Sequence, residues 1–134
     1  MTASITYSEV QGLISKTFKI RPDMSMINER TICVAYKPGF LIPTVKVDIC
    51  VEAIQNESIL LSYHCQSALA LMVKRVISLL REKIPAQMID IDTDKRSIVI
   101  HLNEIEQIRS VLSYMSLENI YIDNCNVYID LQLK

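Results

Sequence analysis

Glycine is nearly absent from this sequence. Only Gly12 and Gly39 occur in 134 residues. Two isolated glycines cannot build a glycine-rich phosphate cradle or a dinucleotide fingerprint, so nucleotide-binding loops of those kinds are excluded. The same scarcity argues against flexible linkers and disordered tails. An excess of charge of either sign is also missing. Fourteen basic and 15 acidic residues leave a net charge of -1. That balance offers no broad attraction to phosphate backbones, and no nucleic-acid partner is expected. Apolar runs are interrupted well before the roughly 18 to 20 residues of a membrane-spanning helix. The first residues, Met-Thr-Ala-Ser-Ile-Thr-Tyr-Ser-Glu, contain no basic segment followed by an apolar stretch. A cytoplasmic protein without a transmembrane segment is the resulting expectation. Four cysteines occur, at 33, 50, 65 and 125, with no C-x-x-C or H-x-x-x-H pair. They are read as reduced and mostly buried thiols, and neither a metal nor a cofactor is expected.

What is abundant is aliphatic. Half the residues are hydrophobic. The length suits one domain, 1–134, able to bury a core of its own.

Periodicity then divides the chain. Thr6 and Glu9 have capping-box spacing, and Val10, Leu13, Ile14 and Phe18 mark one helical face, with Pro22 as the stop. Ile32, Val34 and Tyr36 alternate with Cys33 and Ala35, and Pro38-Gly39 supplies a turn. Val45, Val47, Ile49 and Val51 alternate with Lys46, Asp48, Cys50 and Glu52. The next strand runs over 58–65. An odd-numbered loop around Asn56 keeps one face apolar. It sets Val51 opposite Leu61, Ile49 opposite Tyr63 and Val47 opposite Cys65.

Ser67 is expected to cap the longest helix. Leu69, Met72, Val73, Val76, Ile77, Leu80 and Ile84 recur at spacings of three and four, Leu71 and Leu79 widen the stripe, and Pro85 ends it. Lys74, Arg75, Arg81 and Lys83 on this helix, opposed only by Glu82, read as a solvated face.

A degenerate repeat closes the chain. In one hairpin Ile91 meets Ile98 and Ile89 meets Ile100. In the other Ile122 meets Val127, Ile120 meets Ile129, and Tyr121 meets Tyr128 on the opposite face. Between them Asn103 and Glu106 have capping-box spacing, and Ile105, Ile108, Val111, Leu112 and Met115 form a helical face. The expected fold class is α+β: an antiparallel sheet of about seven strands in hairpins, packed against three helices in the order α-βββ-α-ββ-α-ββ.

Three chemical candidates emerge. Asp90-x-Asp92-x-Asp94 has the opening spacing of a calcium loop, but Lys95 stands where that loop needs glycine and His101 where it needs glutamate. These carboxylates therefore read as solvent-facing groups at a turn over 93–96. His64 falls opposite Asp48, with Cys50 diagonal to it. A carboxylate can orient an imidazole, and an imidazole can activate a thiol, so the trio could serve a small Cys-His-Asp enzyme. An ordinary cross-strand pair is the simpler reading, and the protein is not expected to be an enzyme. The third candidate is the wide apolar face of the long helix. Leu69, Met72, Val73, Val76, Ile77 and Leu80 would line a ligand pocket between helix and sheet.

The strands around Val45, Val51, Ile59 and Tyr63, the helix over 69–84 ending in Lys83-Ile84-Pro85, and the hairpin over 89–102 together resemble small domains of the tubular lipid-binding superfamily. The resemblance covers roughly residues 24–133. It implies an apolar ligand, and it carries over no functional residues. The sequence departs from that pattern in having no export signal and few glycines for strongly bent strands.

The leading functional expectation is thus a non-catalytic binding module for an apolar or amphipathic ligand, a small molecule or a lipid. The alternative is a homo-oligomeric structural or adaptor protein pairing through sheet edges, above all through the last strand over 127–133.

Overall fold

The structure is a computed structural model that describes residues 1–37, 39, 44–55 and 57–134. The chain forms β1 (Thr2–Thr6), α1 (Tyr7–Phe18), β2 (Asp23–Asn28), β3 (Thr31–Tyr36), β4 (Val45–Gln55), β5 (Ser58–Cys65), α2 (Ala70–Lys83), β6 (Ile89–Asp92), β7 (Ser97–His101), α3 (Glu106–Leu112), β8 (Met115–Ile122) and β9 (Asn126–Leu133). The fold is α+β, with three helices and nine antiparallel strands among the described residues. The strands make two open sheets rather than one of seven. Six are ordered β2-β3-β4-β5-β7-β6, and three are ordered β1-β9-β8.

The two strands absent from the sequence reading have a common cause. β1, Thr-Ala-Ser-Ile-Thr, is mostly exposed, and Ala3 and Ile5 are its whole apolar signal. It is extended because its backbone pairs with β9, Ala3 standing opposite Ile129. β2 carries only Met24 and Met26 as its inward signal and pairs along β3.

Local chemistry explains the helix ends. Thr6 Oγ1 accepts the Glu9 N–H at 3.0 Å, and Glu9 Oε1 accepts the Thr6 N–H at 3.1 Å, so the capping box is complete. α1 stops before Pro22, because Lys19 turns left-handed at φ 62° and its N–H bonds the Ser15 carbonyl. α2 is not capped by Ser67, which opens a 3-10 turn running into the helix with no side-chain cap. Its end follows expectation. Ile84 is extended at φ -120° and ψ 126°, the conformation that a following proline favours. No capping box forms at Asn103 and Glu106. Asn103 lies in a 3-10 turn, and its carbonyl accepts the Arg109 Nε–H at 2.7 Å. Met115 belongs to β8, not to α3.

Every pairing argued from the apolar pattern is present. Val47 faces Cys65, Ile49 faces Tyr63 and Val51 faces Leu61. Ile91 meets Ile98, and Ile122 meets Val127. Tyr121 and Tyr128 stack at 5.0 Å between ring centres. In the β4–β5 hairpin a bulge between Val51 and Ala53 sets this register, with Gln55 opposite Ser58. One extra residue on β4 does the work assigned to an odd loop. The turn expected at Pro38-Gly39 involves Pro38, which lies outside the described residues, as does Asn56.

The inner face of the large sheet is covered in two places. At one end Val73 and Ile77 of α2 pack on Val45, Tyr63, Cys65 and Ile91. At the other, α3 and the small sheet pack Leu112, Leu117 and Ile120 on Val51 and Ile59. Tyr7, Ile32 and Ile122 join α1, the large sheet and the small one. Nearby, the Ile122 N–H donates to the Glu29 carbonyl at 2.9 Å. The last strand is no edge, since β9 lies between β1 and β8. Its backbone is paired on both sides, which removes the pairing template expected over 127–133.

Candidate ligand cavity

α2 buries a narrower stripe than its sequence suggests. Val73 and Ile77 are buried, and Met72 and Leu80 are half-buried. Leu71 and Leu79, expected to widen the stripe, are 76% and 50% exposed and face outward, and Val76 within the stripe is 43% exposed. Between this helix and the large sheet lies a cavity of about 400 Å³. Met72, Val73, Val76, Ile77 and Leu80 form its helical wall. Val34, Val45, Val47, Ile49 and Tyr63 contribute most of the sheet wall, with Ile91 and Ile98 beyond them. Ile20 and Pro22, from the segment joining α1 to β2, complete the lining together with Tyr36 and Arg75. Leu69, the sixth residue expected at such a pocket, is buried but lies off the cavity wall.

The space has a physical origin. Both walls include short β-branched side chains, Val73 and Val76 on the helix and Val34, Val45 and Val47 on the sheet. Such chains cannot reach as far across a helix–sheet gap as Leu or Phe. The space is partly open to the surface, with exposed Arg75 and Val76 on its border, so it is a cleft between helix and sheet and not a sealed void of the core. Its volume falls within the usual range of small-molecule sites, about 300–1,000 Å³. Among its described lining residues only Arg75, Tyr36 and Tyr63 carry polar side-chain nitrogen or oxygen. Burial pushes the Tyr63 hydroxyl above its ordinary pKa, so it stays neutral.

Arg75 was hidden from sequence reasoning, which placed it on the solvated face with Lys74, Arg81 and Lys83. It is exposed, yet it borders the cavity three residues after Met72 and next to Val76. Its position at i+3 from an inward-facing residue was the available signal.

The Cys-His-Asp arrangement is only partly assembled. Asp48 stands opposite His64, and Cys50 faces Ser62, one pair further along. Among the described residues no hydrogen bond or ion pair joins Asp48 to His64, and the Cys50 thiol donates its hydrogen bond to the Val51 carbonyl, at 3.8 Å. The thiol directly across from Asp48 is Cys33 on β3. Burial first, then the Asp48 carboxylate, push that thiol above its usual pKa, the opposite of nucleophile activation. Burial also differs from expectation, since only Cys65 is fully buried and Cys125 is exposed. Iodoacetamide at pH 8 should therefore label Cys125 first and Cys33 far more slowly. Peptide mapping by mass spectrometry checks the order, and faster labelling of Cys33 than of Cys125 would contradict it.

Asp90, Asp92 and Asp94 do not converge on a site. Asp92 Oδ1 accepts the Asp94 and Lys95 N–H groups at 3.0 and 3.1 Å, closing the β6–β7 turn. Arg96 takes the left-handed conformation there at φ 52°. No group of three or more His, Cys, Asp or Glu side chains suited to a metal ion occurs among the described residues. No helix there is long and apolar enough to cross a membrane.

The class defined by fold and cavity is thus an α+β domain of two antiparallel sheets, with an apolar chamber beneath its longest helix. Comparison with protein-family models, with curated proteins and with solved structures finds no significant match to this chain.

Proposed function

We propose that this protein is a non-catalytic binding module whose ligand, apolar or amphipathic, is held between α2 and the six-stranded sheet. The observation that carries this reading is the cavity of about 400 Å³ with its almost wholly apolar lining. Wetting such a chamber is unfavourable, because water inside it finds few polar partners. Leaving it empty forfeits dispersion contacts on both walls. An apolar guest recovers those contacts and removes its own surface from water, at roughly 0.8 kcal/mol per buried CH₂. The likeness of strand and helix pattern to tubular lipid-binding domains supports the same ligand class.

Native mass spectrometry of the protein purified from cells, before and after solvent extraction, tests the reading. The expected result is an adduct that extraction removes, and an extracted protein that takes up dodecanol with one-to-one stoichiometry. A clean apoprotein mass together with no uptake of dodecanol would overturn it.

A further inference from the structure

Among the described residues the cavity has one charged lining residue, and that residue is unspent. Arg75 is exposed where it borders the chamber. Among the described residues its guanidinium makes no hydrogen bond and no ion pair. Two other cations of that helix, Arg81 and Lys83, are engaged. Arg81 donates to the Ile91 carbonyl at 2.7 Å, and Lys83 donates to the Thr17 carbonyl at 3.2 Å. No carboxylate among the described residues lines the cavity. Glu82, the one acidic residue of α2, lies seven residues from Arg75, about two helical turns away.

From this we infer that the ligand is a single-chain amphiphile with an anionic head, its chain in the cavity and its head on Arg75. The inference rests on the binding-module reading and specifies its ligand. The geometry divides the ligand in the same way as the site: an apolar chamber for the chain and a guanidinium beside it for the anion. A guanidinium presents a planar fork of N–H donors that suits carboxylate and phosphate oxygens. Exposure of Arg75 lets the head remain partly hydrated, so the full cost of burying a charge is avoided. A cationic head would meet Arg75 with like charge, with Lys74 adjacent in sequence. A neutral head could accept a hydrogen bond from the guanidinium, but without the added attraction of an opposite charge.

Four probes of equal chain length separate these cases by isothermal titration calorimetry: dodecanoate, dodecyl phosphate, dodecanol and dodecyltrimethylammonium. The unmodified protein should bind the two anions about tenfold more tightly than dodecanol, and the cation most weakly. Either order of the two anions supports the inference and identifies the head as carboxylate or phosphate. Arg75→Gln should erase the gap between anions and dodecanol, lowering the affinity for the anions far more than that for dodecanol. Gln has a similar helix propensity, and the site is exposed, so the fold should persist. Lys74→Gln, which alters a charge outside the cavity lining, should preserve the gap. Equal affinity for anions and dodecanol in the unmodified protein would overturn the inference and leave the binding module standing. So would a gap that survives Arg75→Gln or vanishes in Lys74→Gln. Failure of all four probes to bind would overturn the binding module itself, and this inference with it.

Discussion

Leu112→Ala is expected to destabilise the protein by about 4–5 kcal/mol, and Ile77→Ala by only about 2–3 kcal/mol. The two side chains are almost equally buried, at 5% and 6% exposure. Both lie within helices, where alanine is well tolerated, so backbone propensity does not separate them. Their surroundings do. Leu112 packs among Val51, Ile59, Leu102, Leu117 and Ile120, from both sheets and the 3-10 turn before α3. Truncation there opens a new hole lined by stiff side chains that relax poorly. Ile77 borders the existing cavity, so part of its surface already lacks partners and fewer contacts are lost. Urea denaturation of the two variants beside the unmodified protein measures the difference. Equal losses, or a larger loss for Ile77→Ala, would show that the space beneath α2 is filled by protein.

Val73→Phe makes the complementary case, adding atoms where Ile77→Ala removes them. Val73 is buried at the centre of the helical wall. In a filled core a substitution of this size costs about 1–3 kcal/mol through overpacking. Here the larger ring has a chamber of about 400 Å³ to enter. Stability should therefore change by less than about 1 kcal/mol, in either direction. Dodecanoate affinity should fall by at least about tenfold, because the ring occupies the chain's space. Urea denaturation and calorimetric titration on one sample set read both quantities. A destabilised variant with undiminished affinity would place the ligand elsewhere.

Much of the local structure was legible because it depends on neighbours close in sequence. The Thr6–Glu9 capping box involves residues three apart, and Ile84 is extended because Pro85 follows it. The hairpin registers were legible for a related reason. A slip of one residue would send every aliphatic side chain of β4 or β5 to the wrong face, so the apolar pattern admits one alignment. Caps built from distant or absent partners were misread. Ser67 and Asn103 have suitable side chains, but short 3-10 turns precede α2 and α3, and those hydroxyl and amide groups do not cap them.

Long-range contacts decided the rest. β1 is a strand because β9, some 120 residues later in the chain, offers its backbone, and that same pairing puts β9 at the centre of its sheet. Hairpins fix the pairing of strands adjacent in sequence, but nothing local sets β1 on β9, places β5 beside β7 or divides the strands into two sheets. The apolar stripe of α2 likewise identified which residues could face the large sheet. It could not set the distance at which helix and sheet come to rest. That distance follows from α2, the segment around Ile20 and Pro22, and the strands all packing at once. It decides that Met72, Val73, Val76, Ile77 and Leu80 border open space, that Leu69 does not, and that Arg75 stands beside it. The scarcity of glycine, by contrast, was decisive from the sequence alone. A phosphate cradle requires glycines at particular backbone positions, and no tertiary arrangement can supply residues the chain does not contain.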